Sequence, residues 1–154
     1  MRTTRCCVLL AAALACVAAF AQAQTFTFEI AGPVAAHDFR VKSAVFVFRT
    51  IGCPEPAKSE IAATGEGLVD GNRRSMVLRA VATSKPGVYG ILRQWGEGKW
   101  AVILNGSCGD AHASAIVPIG HSGFVREASR FYTHAPTAAE IEAVMKAFPE
   151  KGYK

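Results

Sequence analysis

The sequence predicts a mainly β domain, an antiparallel sandwich or barrel of about seven strands closed by one short C-terminal α-helix. Three observations carry this: an N-terminal apolar run ending in a small-x-small tripeptide, strand-like runs recurring about every ten to fifteen residues, and a helical repeat confined to the C-terminal end.

The leader comes first because it alters every later count. Arg2 and Arg5 form a basic end, Val8 to Phe20 is almost unbroken in its apolarity, and Ala21-Gln22-Ala23 has the form a signal peptidase cuts. As a helix the apolar run would rise only about 20 Å, short of a bilayer core of about 30 Å, so a cleaved signal over residues 1–23 is expected rather than an anchor. An acylated Cys16 is disfavoured because Val17 to Phe20 continue the apolar run where a polar tether belongs. Cleavage predicts a periplasmic or secreted protein with no stable membrane insertion.

About 130 residues then remain, enough for one core. The whole chain has 17 Lys and Arg against 12 Asp and Glu, a formal charge of +5. Arg2 and Arg5 leave with the leader, which lowers this to +3. Arg73-Arg74 is the only adjacent basic pair, and no basic stripe with stacking aromatics appears, which excludes a nucleic-acid partner. Of the five cysteines, Cys6, Cys7 and Cys16 also leave. Cys53 and Cys108 are predicted to pair as a structural disulfide worth about 4 kcal/mol on the chain-entropy model. A redox role would call for a close C-x-x-C, which is missing.

The domain is expected over residues 24–119. Gln24 to Ile30 alternates Phe26, Phe28 and Ile30 with polar residues, the period of a strand with one buried face. Ser43 to Thr50 contains Val45-Phe46-Val47-Phe48, apolar on both sides, as in a strand covered on both faces. Lys58 to Thr64 is a weak strand, and Gly65-Glu66-Gly67 reads as a turn. Asp70-Gly71 is a hairpin signal. Arg74 to Ala82 is read as one strand with Met76, Leu78 and Ala80 sharing a face. Val88 to Trp95 and Lys99 to Asn105 are read as a hairpin around Gly96-Glu97-Gly98, with Trp100, Val102 and Leu104 inward. Asn105-Gly106-Ser107 matches a glycosylation sequon but is read as a turn, and Ala111 to Ile119 is the last strand.

Residues 120–136 are expected to connect the sheet to the helix, and residues 137–154 to form that helix and a tail. Thr137 and Glu140 make a capping box, and Ile141, Val144, Met145 and Phe148 recur at helical spacing before Pro149. One such stripe predicts packing on the helix's own domain.

Pro86-Gly87-Val88-Tyr89 and Gly98-Lys99-Trp100-Ala101-Val102 resemble a hairpin pattern of exported bacterial immunoglobulin-like sandwiches of the YtkA-like and FixH-like kind. The resemblance covers residues 86–102 and implies an immunoglobulin-like fold and export, without transferring a functional residue. Tyr89 and Trp100, with Phe46 and Phe48, are the expected core packing residues.

No motif commits the chain to catalysis: there is no G-x-S-x-G elbow, and the serine beside His121 is no triad by itself. No cofactor is implied. Four histidines occur without H-x-H or H-E-x-x-H spacing. His37, Asp110, His112 and His121 are the weak metal candidates, because residues two apart on a strand share a face. The favoured function is a non-catalytic exported module binding a protein or small ligand; the alternative is copper or zinc binding.

Overall fold

Residues 25–148 are described by the computed structural model, so the leader expected over residues 1–23 and the tail after Phe148 lie outside them. Strand β1 (Thr27–Ala31) buries Phe28 and Ile30 and leaves Glu29 exposed, as its alternation predicts. It pairs antiparallel with β2 (Ala44–Ile51), whose Phe46 and Phe48 face the core. The opposite side of β2 is covered as well. The connection between these strands folds back over it in two 3-10 turns, Pro33–Ala36 and Phe39–Val41, packing Ala36 and Val41 on Ala44 and Val47.

Strand β3 (Glu60–Val69) turns through Asp70 and Gly71, both at positive φ, into β4 (Asn72–Leu78). The chain continues as β5 (Ala80–Ala82) and β6 (Val88–Leu92), then β7 (Lys99–Cys108) and β8 (Ala111–Gly120). Two short strands, β9 (Gly123–Phe124) and β10 (Arg130–Tyr132), precede helix α1 (Ala138–Ala147). A small sheet has the order β1-β2-β6-β5, and a large sheet the order β10-β8-β7-β3-β4, with β9 paired to the end of β8. Every strand pair is antiparallel. Between the sheets lie Phe26, Phe28, Phe46, Phe48, Leu78, Ile91, Trp95, Trp100, Val102, Leu104, Val117 and Ile119. Tyr89 is half-buried and stacks on Phe48, with ring centroids 5.5 Å apart.

The mainly β sandwich with a C-terminal helix is thus the observed fold, but several local expectations change. Ten strands among the described residues replace about seven. Residues 120–136 hold β9 and β10 rather than a plain connection. The run 74–82 splits at Arg79, because β4 belongs to the large sheet and β5 to the small one. Arg79 has no strand partner at this crossing; its N–H donates to Gln94 Oε1 at 2.9 Å and its carbonyl accepts from Gln94 Nε2 at 3.0 Å.

The Gly96-Glu97-Gly98 segment is a passage between sheets and not a hairpin, since β6 pairs with β2 and β5 while β7 pairs with β3 and β8. Buried Trp95, tilted against Trp100 with centroids 6.1 Å apart, anchors that passage in the core. Gly65-Glu66-Gly67 lies within β3, and Asn105-Gly106-Ser107 within β7. These glycines serve close packing: a Cβ on Gly67 would sit 2.6 Å from the Trp100 ring, and one on Gly106 2.7 Å from Phe28 Cζ. The turn after β7 falls instead at Gly109-Asp110.

Cys53, just beyond β2, is bonded to Cys108 at the end of β7, with Cα atoms 5.8 Å apart at a sequence separation of 55. The bridge therefore ties the two sheets together. Among the described residues no helix is long and apolar enough to cross a membrane.

Candidate functional site

The outer face of the large sheet changes character along its strands. Under α1 it is apolar: Ala101, Ile103 and Ile116 pack against Val144 and Met145. Past the start of the helix it becomes polar. Antiparallel register sets Ala62, Asn105 and Ser114 side by side across β3, β7 and β8, and then Glu60, Ser107 and His112. Directly opposed residues share a face at about 5 Å between Cβ atoms, so these two rows make one floor, polar except at Ala62.

A wall rises beside that floor from the segment joining β10 to α1. Ser114 Oγ donates to the His134 carbonyl at 2.5 Å, fixing Thr133, His134 and Ala135 over the sheet. The helix start holds the other end. Thr137 N–H and its hydroxyl donate to Glu140 Oε2 at 2.7 and 2.9 Å, and Glu140 N–H returns a bond to Thr137 Oγ1 at 3.2 Å. These bonds, joined by the His134 imidazole 3.3 Å from Glu140 Oε1, hold the Glu140 carboxyl below its ordinary range. Burial, with the Glu140 charge second, pushes the neighbouring Tyr132 phenol up. Tyr132 in turn meets the His134 ring edge-on, with centroids 5.3 Å apart.

The result is a cleft of about 760 Å³ with Ile61, Ala62, Ala113 and Ala135 as apolar lining and Glu60, Asn105, Ser107, His112 and His134 as polar lining. Its volume falls in the range of small-molecule sites. Asn105 Oδ1 is buried there without a hydrogen-bond partner. A buried amide oxygen left unpaired costs about 1–3 kcal/mol, which a turn of the Asn105 amide toward the cleft, onto a ligand's donor, would recover. No hydrogen bond joins the Ser107 hydroxyl to the His112 imidazole among the described residues, although the two are opposed in register.

Compared with known proteins, the chain matches no family model, no curated protein and no solved structure.

The four sequence-chosen metal candidates are not gathered. His112 lines the cleft, and Asp110 lies on the exposed turn just before it. His121 lies beyond the far end of β8, about 30 Å along the strand at about 3.3 Å per residue. It lines a separate cleft with Arg93 and Trp95. His37 caps the first 3-10 turn at φ 50° over the small sheet. Among the described residues no three His, Cys, Asp or Glu side chains are grouped to hold a metal ion. Sequence reasoning missed Glu60, Asn105 and His134, which come from β3, β7 and the segment after β10. The one local signal was Asn105 itself, a polar residue closing the apolar run Ala101 to Leu104.

Proposed function

We propose that this protein is an exported, non-catalytic module that binds a small amphipathic ligand in the cleft beside α1. The observation that carries the reading is the buried, unpartnered Asn105 Oδ1 at the floor of a cleft of about 760 Å³. The ligand this favours has an apolar body for Ala62 and Ala135 and an N–H or O–H donor for Asn105. Export is supported by the leader pattern of residues 1–23, by the Cys53–Cys108 bridge and by the resemblance over residues 86–102 to exported immunoglobulin-like domains.

The test is a thermal-shift and amide-NMR screen with a panel of amphipathic amides and alcohols. Binders are expected to shift resonances of residues 60–62, 105–107, 112–114 and 133–135 together. Asn105→Leu is expected to abolish those shifts while stabilising the free protein by about 1 kcal/mol, because it removes a buried polar group that lacks a partner. A variant that is destabilised, or that keeps its response, refutes the reading.

A further inference from the structure

A second surface, on the opposite side of the sandwich, bears features the cleft does not use. The two 3-10 turns covering the small sheet turn Ala36 and Val41 inward, but present Val34 and Phe39 to solvent at 82% and 87% exposure. Scattered exposed apolar residues are ordinary. These two are not scattered: with Pro33, His37, Asp38 and Lys42 they line one shallow depression of about 310 Å³.

Nor does core packing hold Phe39 in place. Asp38 does so, as the cap of the second turn. Its carboxylate accepts from the Arg40 backbone N–H at 3.0 Å, from Arg40 Nε and Nη2 at 3.0 and 2.7 Å, and from Ser84 N–H and Oγ at 2.6 and 2.9 Å. The turn is therefore preorganised with its aromatic ring outward.

Charge on this face is one-signed after pairing. Asp38 is neutralised by Arg40, and Glu29 by Arg49. Lys42 and Lys85 are exposed and carry no ion pair among the described residues. An aromatic and a β-branched side chain flanked by unpaired lysines match the boundary of an anionic bilayer, where apolar groups enter the acyl edge and cations meet phosphates.

We infer that residues 33–42, with Lys85, form a peripheral docking patch for an anionic phospholipid surface. The contact is shallow and reversible, since two side chains and two charges provide it. It places the ligand cleft on the side of the sandwich turned away from the bilayer.

Vesicle flotation tests this with protein expressed from the full sequence, using phosphatidylcholine vesicles with and without phosphatidylglycerol. Binding is expected only with phosphatidylglycerol and is expected to weaken as salt rises. Phe39→Ser is expected to reduce it by about ten-fold and Lys42→Gln by about five-fold. Phe39 lies outside the core, so circular dichroism is expected to show an unchanged fold. Equal binding to both vesicle types, or a Phe39→Ser variant that binds like the parent, overturns the inference. So does a concentration-dependent dimer that Phe39→Ser abolishes, which would assign the patch to a second copy of the chain.

Discussion

Alanine at Gly67 would bring its Cβ to 2.6 Å from Trp100 Cδ2 and Cε3, about 1 Å inside the usual contact distance of ~3.5–4.0 Å. The indole has little room to retreat: it is 6% exposed and packs against Trp95. Overpacking of this kind costs about 1–3 kcal/mol, while replacing a strand glycine returns about 0.5–1 kcal/mol of conformational entropy. The expected net loss is about 1–2 kcal/mol, a fall in Tm of about 4–10 °C for a domain of this size. Gly65 supplies the control, two residues away on the same face. There a Cβ would meet Met76 Cγ at 3.3 Å and Leu78 methyls at 3.4 Å, and the unbranched Met76 side chain can yield a few tenths of an ångström. Gly65→Ala is expected to stay within about 0.5 kcal/mol of the parent. Scanning calorimetry, with tryptophan fluorescence to register movement of the indole, measures both. Equal effects at the two positions would refute the claim that the Trp100 ring dictates glycine at 67.

The paired change Cys53→Ala and Cys108→Ala should lower stability by about 4 kcal/mol if the bridge acts through the 55-residue separation it closes. Urea midpoints of the variant and of the reduced parent should agree, and a loss below about 1 kcal/mol contradicts the chain-entropy account. Asp38 is held well below the ordinary carboxylate range, chiefly by the Arg40 side chain and then by the Ser84 and Arg40 backbone N–H groups. A carboxylate so lowered lends stability that is complete above its unfolded value of about 3.9 and is lost as pH falls below it. Asp38→Asn should therefore lower Tm at pH 7 and flatten its decline between about pH 4 and pH 2; parallel acid limbs in the two proteins would refute this.

Features set by local chemistry were readable from the sequence. The capping box at Thr137 and Glu140 needs only neighbours, and so does the Asp70-Gly71 hairpin; both appear where the residues put them. Strand pairing is a different matter. Gly96-Glu97-Gly98 announces a change of direction, but nothing in those residues says that the next strand joins the other sheet. Gly65, Gly67 and Gly106 look like turns because glycine usually marks one; here they are gaps into which Met76, Trp100 and Phe28 fit, and those partners lie far off in sequence. Strands β9 and β10 are two and three residues long, too short to show a period. The cleft was illegible for the same reason, since registers across β3, β7 and β8 bring its floor together.

The crossing at Arg79 bears on how the sandwich opens. Strands β4 and β5 are the outermost strands of different sheets, and edges of this kind ordinarily fray separately, each with its own small opening free energy. Here a single residue joins them, and the Gln94 amide occupies both of its backbone groups. Peeling either strand strains the clasp that seats the other. What would be two independent weak points becomes one shared opening event, governed by a glutamine that belongs to neither strand.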